Sequence, residues 1–178
     1  MKNIVKIIAL VSDDFEDLEL WYPVYRLREE GFIVDLVGEK ANHEYIGKYG
    51  VPAKSDLSFE QVDVENYDAI LVPGGWAPDK LRRYEKVLEM IRYFNEHKMV
   101  IGQICHAGWV LISADILRGK TTTSTPGIKH DMINAGSNWI DVGACVDGHI
   151  VSGQRPVNLP EYGKYLVEAI NKQINRQK

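Results

Sequence analysis

Four stretches of the chain are apolar almost without a break, and amphipathic stretches separate them. Ile4 to Val11 is rich in β-branched residues and gives way to Ser12, Asp13 and Asp14, which is how a strand buried on both faces reads. It predicts a central parallel strand. Leu18, Leu20, Trp21, Val24, Tyr25 and Leu27 then recur at helical spacing up to Gly31, with Glu16, Asp17 and Glu19 at the start, where a helix dipole favours anions. Phe32 to Val37 follows as a second strand, completing a βαβ unit of the length a right-handed crossover needs. Between Gly38 and Glu65, Gly47, Gly50 and Pro52 break the pattern into pieces compatible with extra strands or a small hairpin.

Ala69 to Val72 is the next buried strand, cut off by Pro73-Gly74-Gly75. Leu81, Val87, Leu88, Ile91 and Phe94 continue as one helix, and Met99 to Ile104 returns as a strand. Alternation of this kind defines a doubly wound, mostly parallel α/β sheet. Further on, Trp109, Val110, Ile112 and Leu117 predict a helix and its exit turn, and Thr121 to Ser124 a short strand. Pro126 suits the start of a helix that Ala135-Gly136 closes. Cys145 to Val151 reads as a hairpin turning at Asp147-Gly148, Leu159 to Ile174 as the last helix, and Asn175 to Lys178 as a frayed tail. Neither a repeat nor a linker divides residues 1–178, so a single domain is expected.

Composition changes this picture little. With 45% hydrophobic and 26% charged residues the chain is an ordinary globular one, and its net charge of -4 gives no electrostatic footprint for nucleic acid. No apolar run approaches the roughly 20 residues of a membrane span. Two cysteines without a CxxC pair make no disulfide framework, which fits a reducing cytoplasm. His43, His97, His130 and His149 have no ligand spacing and read as surface or loop residues, so neither a metal nor a cofactor is expected.

The chemistry concentrates where strands end. Cys105 stands between a buried strand and a helix, in Gln103-Ile104-Cys105-His106-Ala107-Gly108, so its thiol is expected on a tight nucleophile elbow at the carboxyl end of the sheet. Helix amides aimed at the sulfur predict a thiol more acidic than Cys145, which is assigned to packing. His106, next in sequence, is the candidate base. Glycines after the neighbouring strand, Gly75 among them, let a backbone N–H approach as an oxyanion donor, although the GxxxxGK[ST] and GxGxxG phosphate-binding spacings are absent. The acidic run Asp13 to Asp17 lies at the same end, and Phe15 beside Glu16 suggests that Glu16 turns inward.

Taken together, Phe15 to Leu20, Tyr67 to Gly75, Ile104-Cys105-His106, Leu117 to Lys120, Thr123-Ser124, Pro126 to Lys129, Asn134-Ala135-Gly136 and Val146-Asp147-Gly148 give the chain a close resemblance to the ThiJ/PfpI family. That family, within the class I glutamine amidotransferase-like superfamily, includes PfpI-type intracellular proteases and general stress proteins. The resemblance implies a flavodoxin-like three-layer sandwich, Cys105 as nucleophile, His106 as elbow histidine, Glu16 as the glutamate bonded to the thiol, and the amides of Gly75 and His106 as oxyanion donors. It also implies self-association into a dimer or hexamer, in which Asp79 of one subunit orients the histidine of its neighbour. The family commonly has Glu at that position, one methylene longer. Ala107-Gly108-Trp109 departs from the Gly-Pro that many relatives carry after the histidine, leaving Trp109 to cap the pocket, line an interface or join the core. The expected activity is that of a cysteine hydrolase or lyase acting on electrophilic carbonyls of a small compound or a peptide, as peptidase, glutathione-independent glyoxalase or protein deglycase. The alternative is a redox-sensing or chaperone-like stress protein whose Cys105 oxidises to a sulfinate.

Overall fold

The computed structural model describes residues 4–176. β1 (Lys6–Leu10) leads into α1 (Asp17–Glu29) and β2 (Ile33–Gly38). The irregular region that follows holds a small antiparallel hairpin, β3 (Glu44–Ile46) with β4 (Pro52–Lys54), and then β5 (Leu57–Ser58), which adds to the main sheet beside β2. β6 (Ala69–Val72) precedes α2 (Ala77–Leu81), α3 (Glu85–Glu96) and β7 (Val100–Ile104). The sequence pattern runs these two helices together, and the structure separates them at Arg82 to Tyr84, where Leu81 ends the first and Tyr84 is the N-cap of the second.

A 3₁₀ turn over Cys105–Ala107 opens α4 (Gly108–Ser113). β8 (Thr121–Thr122), α5 (Lys129–Asn134) and β9 (Asn138–Trp139) follow, β8 and β9 forming a separate parallel pair that the sequence pattern does not announce. β10 (Ala144–Asp147) and β11 (Ile150–Gly153) form the expected hairpin, its two-residue turn shifted by one position to Gly148-His149. α6 (Leu159–Arg176) closes the chain. Asn175 and Arg176, expected to fray, complete this helix, and residues 177–178 lie outside the described residues.

The seven-stranded sheet has the order β10-β11-β7-β6-β1-β2-β5, parallel throughout except for β10 on the edge. Helices cover both faces, as a parallel sheet requires. α1 and α6 pack together on one side, and α2, α3 and α4 associate on the other. Ile7, Ile8, Ile70 and Ile101 on the central strands are fully buried. Strand order reverses between β1 and β6, so the loops leaving them part at the carboxyl end of the sheet and open a crevice there. An isolated bridge between Phe15 and Gly75 spans its floor.

Candidate active site

Cys105 begins the turn at the end of β7 with φ of 61°, in the left-handed region that a side chain adopts only at a cost of about 1–3 kcal/mol. Strand and helix on either side hold it there, and the amide of Thr125 fastens its carbonyl at 3.2 Å. The thiol is half-buried, with the backbone N–H groups of His106 and Gly75 within reach of Sγ. His106 Nδ1 stands 3.4 Å from Sγ, so adjacency in sequence here does give side-chain contact.

Gly75 occupies φ of 74°, and a Cβ on it would run into the carbonyl of Asp14 and the amide of Glu16. Only glycine lets the β1 and β6 loops close on each other and bring this N–H to the sulfur. The backbone is stitched by Glu16 N–H to the Gly74 carbonyl at 3.1 Å and Trp76 N–H to the Asp14 carbonyl at 2.8 Å.

The acidic run does not act as the sequence suggests. Glu16 does turn inward, but as the N-cap of α1, where its Oε2 accepts from the Glu19 amide at 2.9 Å. The carboxyl beside the thiol is that of Glu19, one helical turn further on, which is only 2% exposed. Starting the helix at Asp17 commits Glu16 to capping and points the third helical residue into the crevice. Gly74 makes room, since a Cβ there would strike both Glu19 Oε2 and Cys105 Cβ. Glu19 lies within hydrogen-bonding reach of the thiol and the Gly74 amide, yet neither of its oxygens has a partner of good geometry.

The other acids of the run build the rim. Asp13 accepts from the Ile46 amide at 2.9 Å, and Asp14 pairs with Lys80 at 2.6 Å. Asp17 accepts from the amides of Tyr49 and Val51, both at 2.8 Å, and so fixes the hairpin loop carrying Lys48. That ammonium is the one cation whose field reaches Glu16, Glu19 and His106 alike among the described residues. Sequence pattern gave no reason to single out Lys48, because only the fold brings its loop over the crevice.

Burial dominates the electrostatics. It lifts Glu19 from 4.5 to about 8, helped by the neighbouring charge of Glu16. It also pushes the Cys105 thiol up to about 12, followed by repulsion from an ionised Glu19, against the pull of the His106 and Gly75 amides. Desolvation thus exceeds the acidifying help expected from the helix amides, and burial raises the Cys145 thiol as well. At neutral pH Glu19 holds its proton, which takes its charge off the sulfur. His106 is shifted down by burial and then by Lys48, so the imidazole rests neutral and able to accept a proton.

The remaining expectations fall outside the crevice floor. Asp79, on α2, is ion-paired at 2.7 Å with Arg83 in the turn that follows that helix. Cys145 is half-buried on edge strand β10, its Sγ 3.9 Å from the Thr121 carbonyl. His149 is buried rather than superficial, bonded to Asn95 Oδ1 at 2.8 Å and lowered to about 4 by burial. Among the described residues no group of three His, Cys, Asp or Glu side chains is arranged for a metal ion, and no helix is long and apolar enough to cross a membrane.

A cysteine on a strained strand-to-helix elbow, with a neutral histidine, a buried carboxyl and two converging amides, is what this α/β fold gathers at the carboxyl end of its sheet. The DJ-1/PfpI family model matches residues 5–169, and the chain belongs to that family. It is 40% identical over 166 residues, 93% of this chain and 99% of the relative, to the Pyrococcus horikoshii protein named deglycase PH1704. Over 159 residues, 89% of this chain and 94% of the relative, it is 38% identical to Bacillus subtilis YraA, named as a candidate cysteine protease. Among solved structures it resembles a two-domain Anabaena variabilis protein with DJ-1/ThiJ/PfpI-like and ferritin-like domains. That match has a TM-score of 0.91 and 31% identity, covering 94% of this chain and 48% of the other.

Proposed function

We propose that this chain is a cysteine-dependent enzyme acting on small electrophilic carbonyls, dicarbonyls foremost, and on the adducts they form with amines. The carrying observation is the 3.4 Å contact between Cys105 Sγ and the neutral His106 imidazole, at a sulfur already faced by two amides. In the first step the Cys105 proton moves to His106 Nδ1, Sγ bonds to the carbonyl carbon, and the oxygen takes up the displaced electron pair beside the amides of Gly75 and His106. Return of the proton to oxygen gives a hemithioacetal. With methylglyoxal, the hydrogen on the former aldehyde carbon moves as a proton to the adjacent ketone carbon while the hydroxyl proton passes to the ketone oxygen, giving a lactyl thioester. Water hydrolyses it to lactate and frees the thiol.

Aldehydes suit this site better than amides, because a thiol held largely un-ionised by burial adds readily only to a strongly electrophilic carbon. The deglycase name of the Pyrococcus relative supports the same reading. The cysteine-protease name of YraA favours a peptidase as the second reading, with the same first step. We further propose a cytoplasmic protein that self-associates into a dimer or hexamer, with the half-exposed Trp76 in the contact and Asp79 offered to the neighbour's histidine. The Asp79–Arg83 pair is exposed and yields to such a partner at little cost.

The test is turnover of methylglyoxal, a glycated amine and a peptide panel by the native protein, Cys105→Ala and His106→Gln. Dicarbonyl turnover that vanishes in the first and falls about 100-fold or more in the second is expected. Turnover of peptides alone would establish the peptidase. No turnover, with protection of client proteins that persists in Cys105→Ala, would leave a chaperone-like stress protein.

A further inference from the structure

His106 is flanked by two indoles. Its ring centroid lies 5.0 Å from that of Trp76, tilted by 41°, and 5.0 Å from that of Trp109, tilted by 49°. Both tryptophans are themselves anchored. The Trp109 indole N–H donates to Asp131 Oδ2 at 2.9 Å, and the guanidinium of Arg82 stands 5.8 Å over its ring. Arg82 is in turn held by Ser113 Oγ at 2.9 Å. Trp76 follows the Gly74-Gly75 turn, its backbone N–H fixed to Asp14, and Lys48 Nζ stands 5.6 Å over its ring.

Within one chain, no carboxylate of the described residues is hydrogen-bonded to the imidazole. Among the described residues the only hydrogen-bond partner of its ring is Cys105 Sγ, and Asp79 is engaged with Arg83. Within the subunit it is the two indoles that bracket the ring, and a carboxylate offered by a neighbour would add to them.

We propose that Trp76 and Trp109 are positioning residues for the thiol chemistry: their indoles hold the His106 ring with Nδ1 on Sγ, and their π-faces stabilise the imidazolium formed when His106 takes the Cys105 proton. The electron-rich face of an indole packs against the neutral ring and attracts the imidazolium more strongly. The clamp therefore favours the state in which the proton has left sulfur. Other charges near the stack are Lys48 from the hairpin loop, Arg82 at the end of α2, Asp131 on α5, and the Asp79–Arg83 and Lys80–Asp14 pairs. Burial and then Lys48 oppose the imidazolium, and the two indole faces act against both.

The inference rests on the thiol-adduct reading, and its test separates the two. The His106 ring resonance, assigned by its loss in His106→Gln, is followed by NMR through a pH titration of the native protein, Trp76→Leu, Trp109→Leu and the matching Phe variants. Methylglyoxal kinetics are measured in parallel. Each Leu variant should lower the His106 midpoint by about 0.4 to 1.5 pH units and reduce kcat roughly 2- to 30-fold, the span of a cation–π contact, with KM nearly constant. Each Phe variant, keeping a weaker face, should fall between Leu and the native protein, and serves if a Leu variant fails to fold. An unchanged or raised midpoint in both Trp76 and Trp109 variants, or an unchanged kcat, overturns the clamp. Absence of methylglyoxal turnover in the native protein would remove the substrate assignment, while the midpoints would still decide whether the indoles hold the histidine.

Discussion

Replacing Glu19 by Gln is expected to stabilise the fold at neutral and alkaline pH while impairing the site. Burial raises this carboxyl from 4.5 to about 8, so between those values the native state keeps a proton that the unfolded chain has released. The native state binds more protons throughout that window. Its stability therefore falls as pH rises through it, and above about pH 8 the whole penalty is present. At about 1.4 kcal/mol per pH unit, the ceiling is roughly 3 kcal/mol at pH 7 and roughly 5 kcal/mol above pH 8. Relaxation around the carboxylate and entry of water lower this, and a gain of about 2–3 kcal/mol at pH 8.5 is expected.

Glutamine has nearly the same shape and stays neutral, so the packing against Gly74 and Cys105 is kept. The assay is urea unfolding of both proteins at pH 5, 7 and 8.5. Near pH 5 their stabilities should almost coincide, and the difference should widen steadily with pH in favour of Glu19→Gln. A difference independent of pH, or a variant less stable at pH 8.5, would mean that Glu19 is ionised in the native protein and compensated by its surroundings. Gains of this size are a large share of a domain's total stability, so the experiment has ample range.

Gly75→Ala should cost at least about 2 kcal/mol by denaturant midpoint, because a Cβ would have to displace the Asp14 carbonyl at a positive φ; a loss below about 0.5 kcal/mol would show that the loop yields. Asp17→Ala removes two charge-assisted bonds from the Lys48 loop and should cost about 2–4 kcal/mol while speeding amide exchange at Tyr49 and Val51; unchanged protection of those amides would contradict it. Asp79→Ala should change stability by less than about 0.5 kcal/mol, and if its carboxylate serves a neighbour it should lower turnover with assembly intact by sedimentation; full turnover rules that role out.

How much of this was legible in the sequence depended on whether a feature was set locally. The buried strands announced themselves because both faces are covered, which leaves long apolar runs, and the elbow followed from one polar residue between such a run and a helix. Gly75 was legible for a similar reason, as a glycine directly after a strand. Assigning the carboxyl to Glu16 rather than Glu19 failed by one turn. The question is settled by where α1 starts, and Glu is a weak N-cap type that gave no signal of capping. The hairpin turn slipped by one residue because Asp147 pairs with Ile150 instead of entering the loop. Lys48 was not legible at all, and although Trp109 could be weighed as a cap of the pocket, the meeting of both indoles on His106 could not be read. Their positions come from the β3–β4 loop, the turn after β6 and the start of α4, which only the fold brings together.

The corrected glutamate also bears on the choice between adduct chemistry and redox sensing. Sensor cysteines are exposed and held as thiolates, since thiolate character governs oxidation. Here Glu19, His106 and Cys105 are all neutral near pH 7, and burial resists ionising the sulfur. A resting thiol of this kind is poorly suited to reacting with oxidant on encounter. On the proposed reading an electrophilic carbonyl would change the balance, because the proton leaving sulfur would pass to a histidine already in contact and the charge would end on an oxygen beside two amides rather than on a desolvated sulfur. The features that make the free thiolate costly would then leave the adduct well supported, the asymmetry that a nucleophile reserved for its substrate requires.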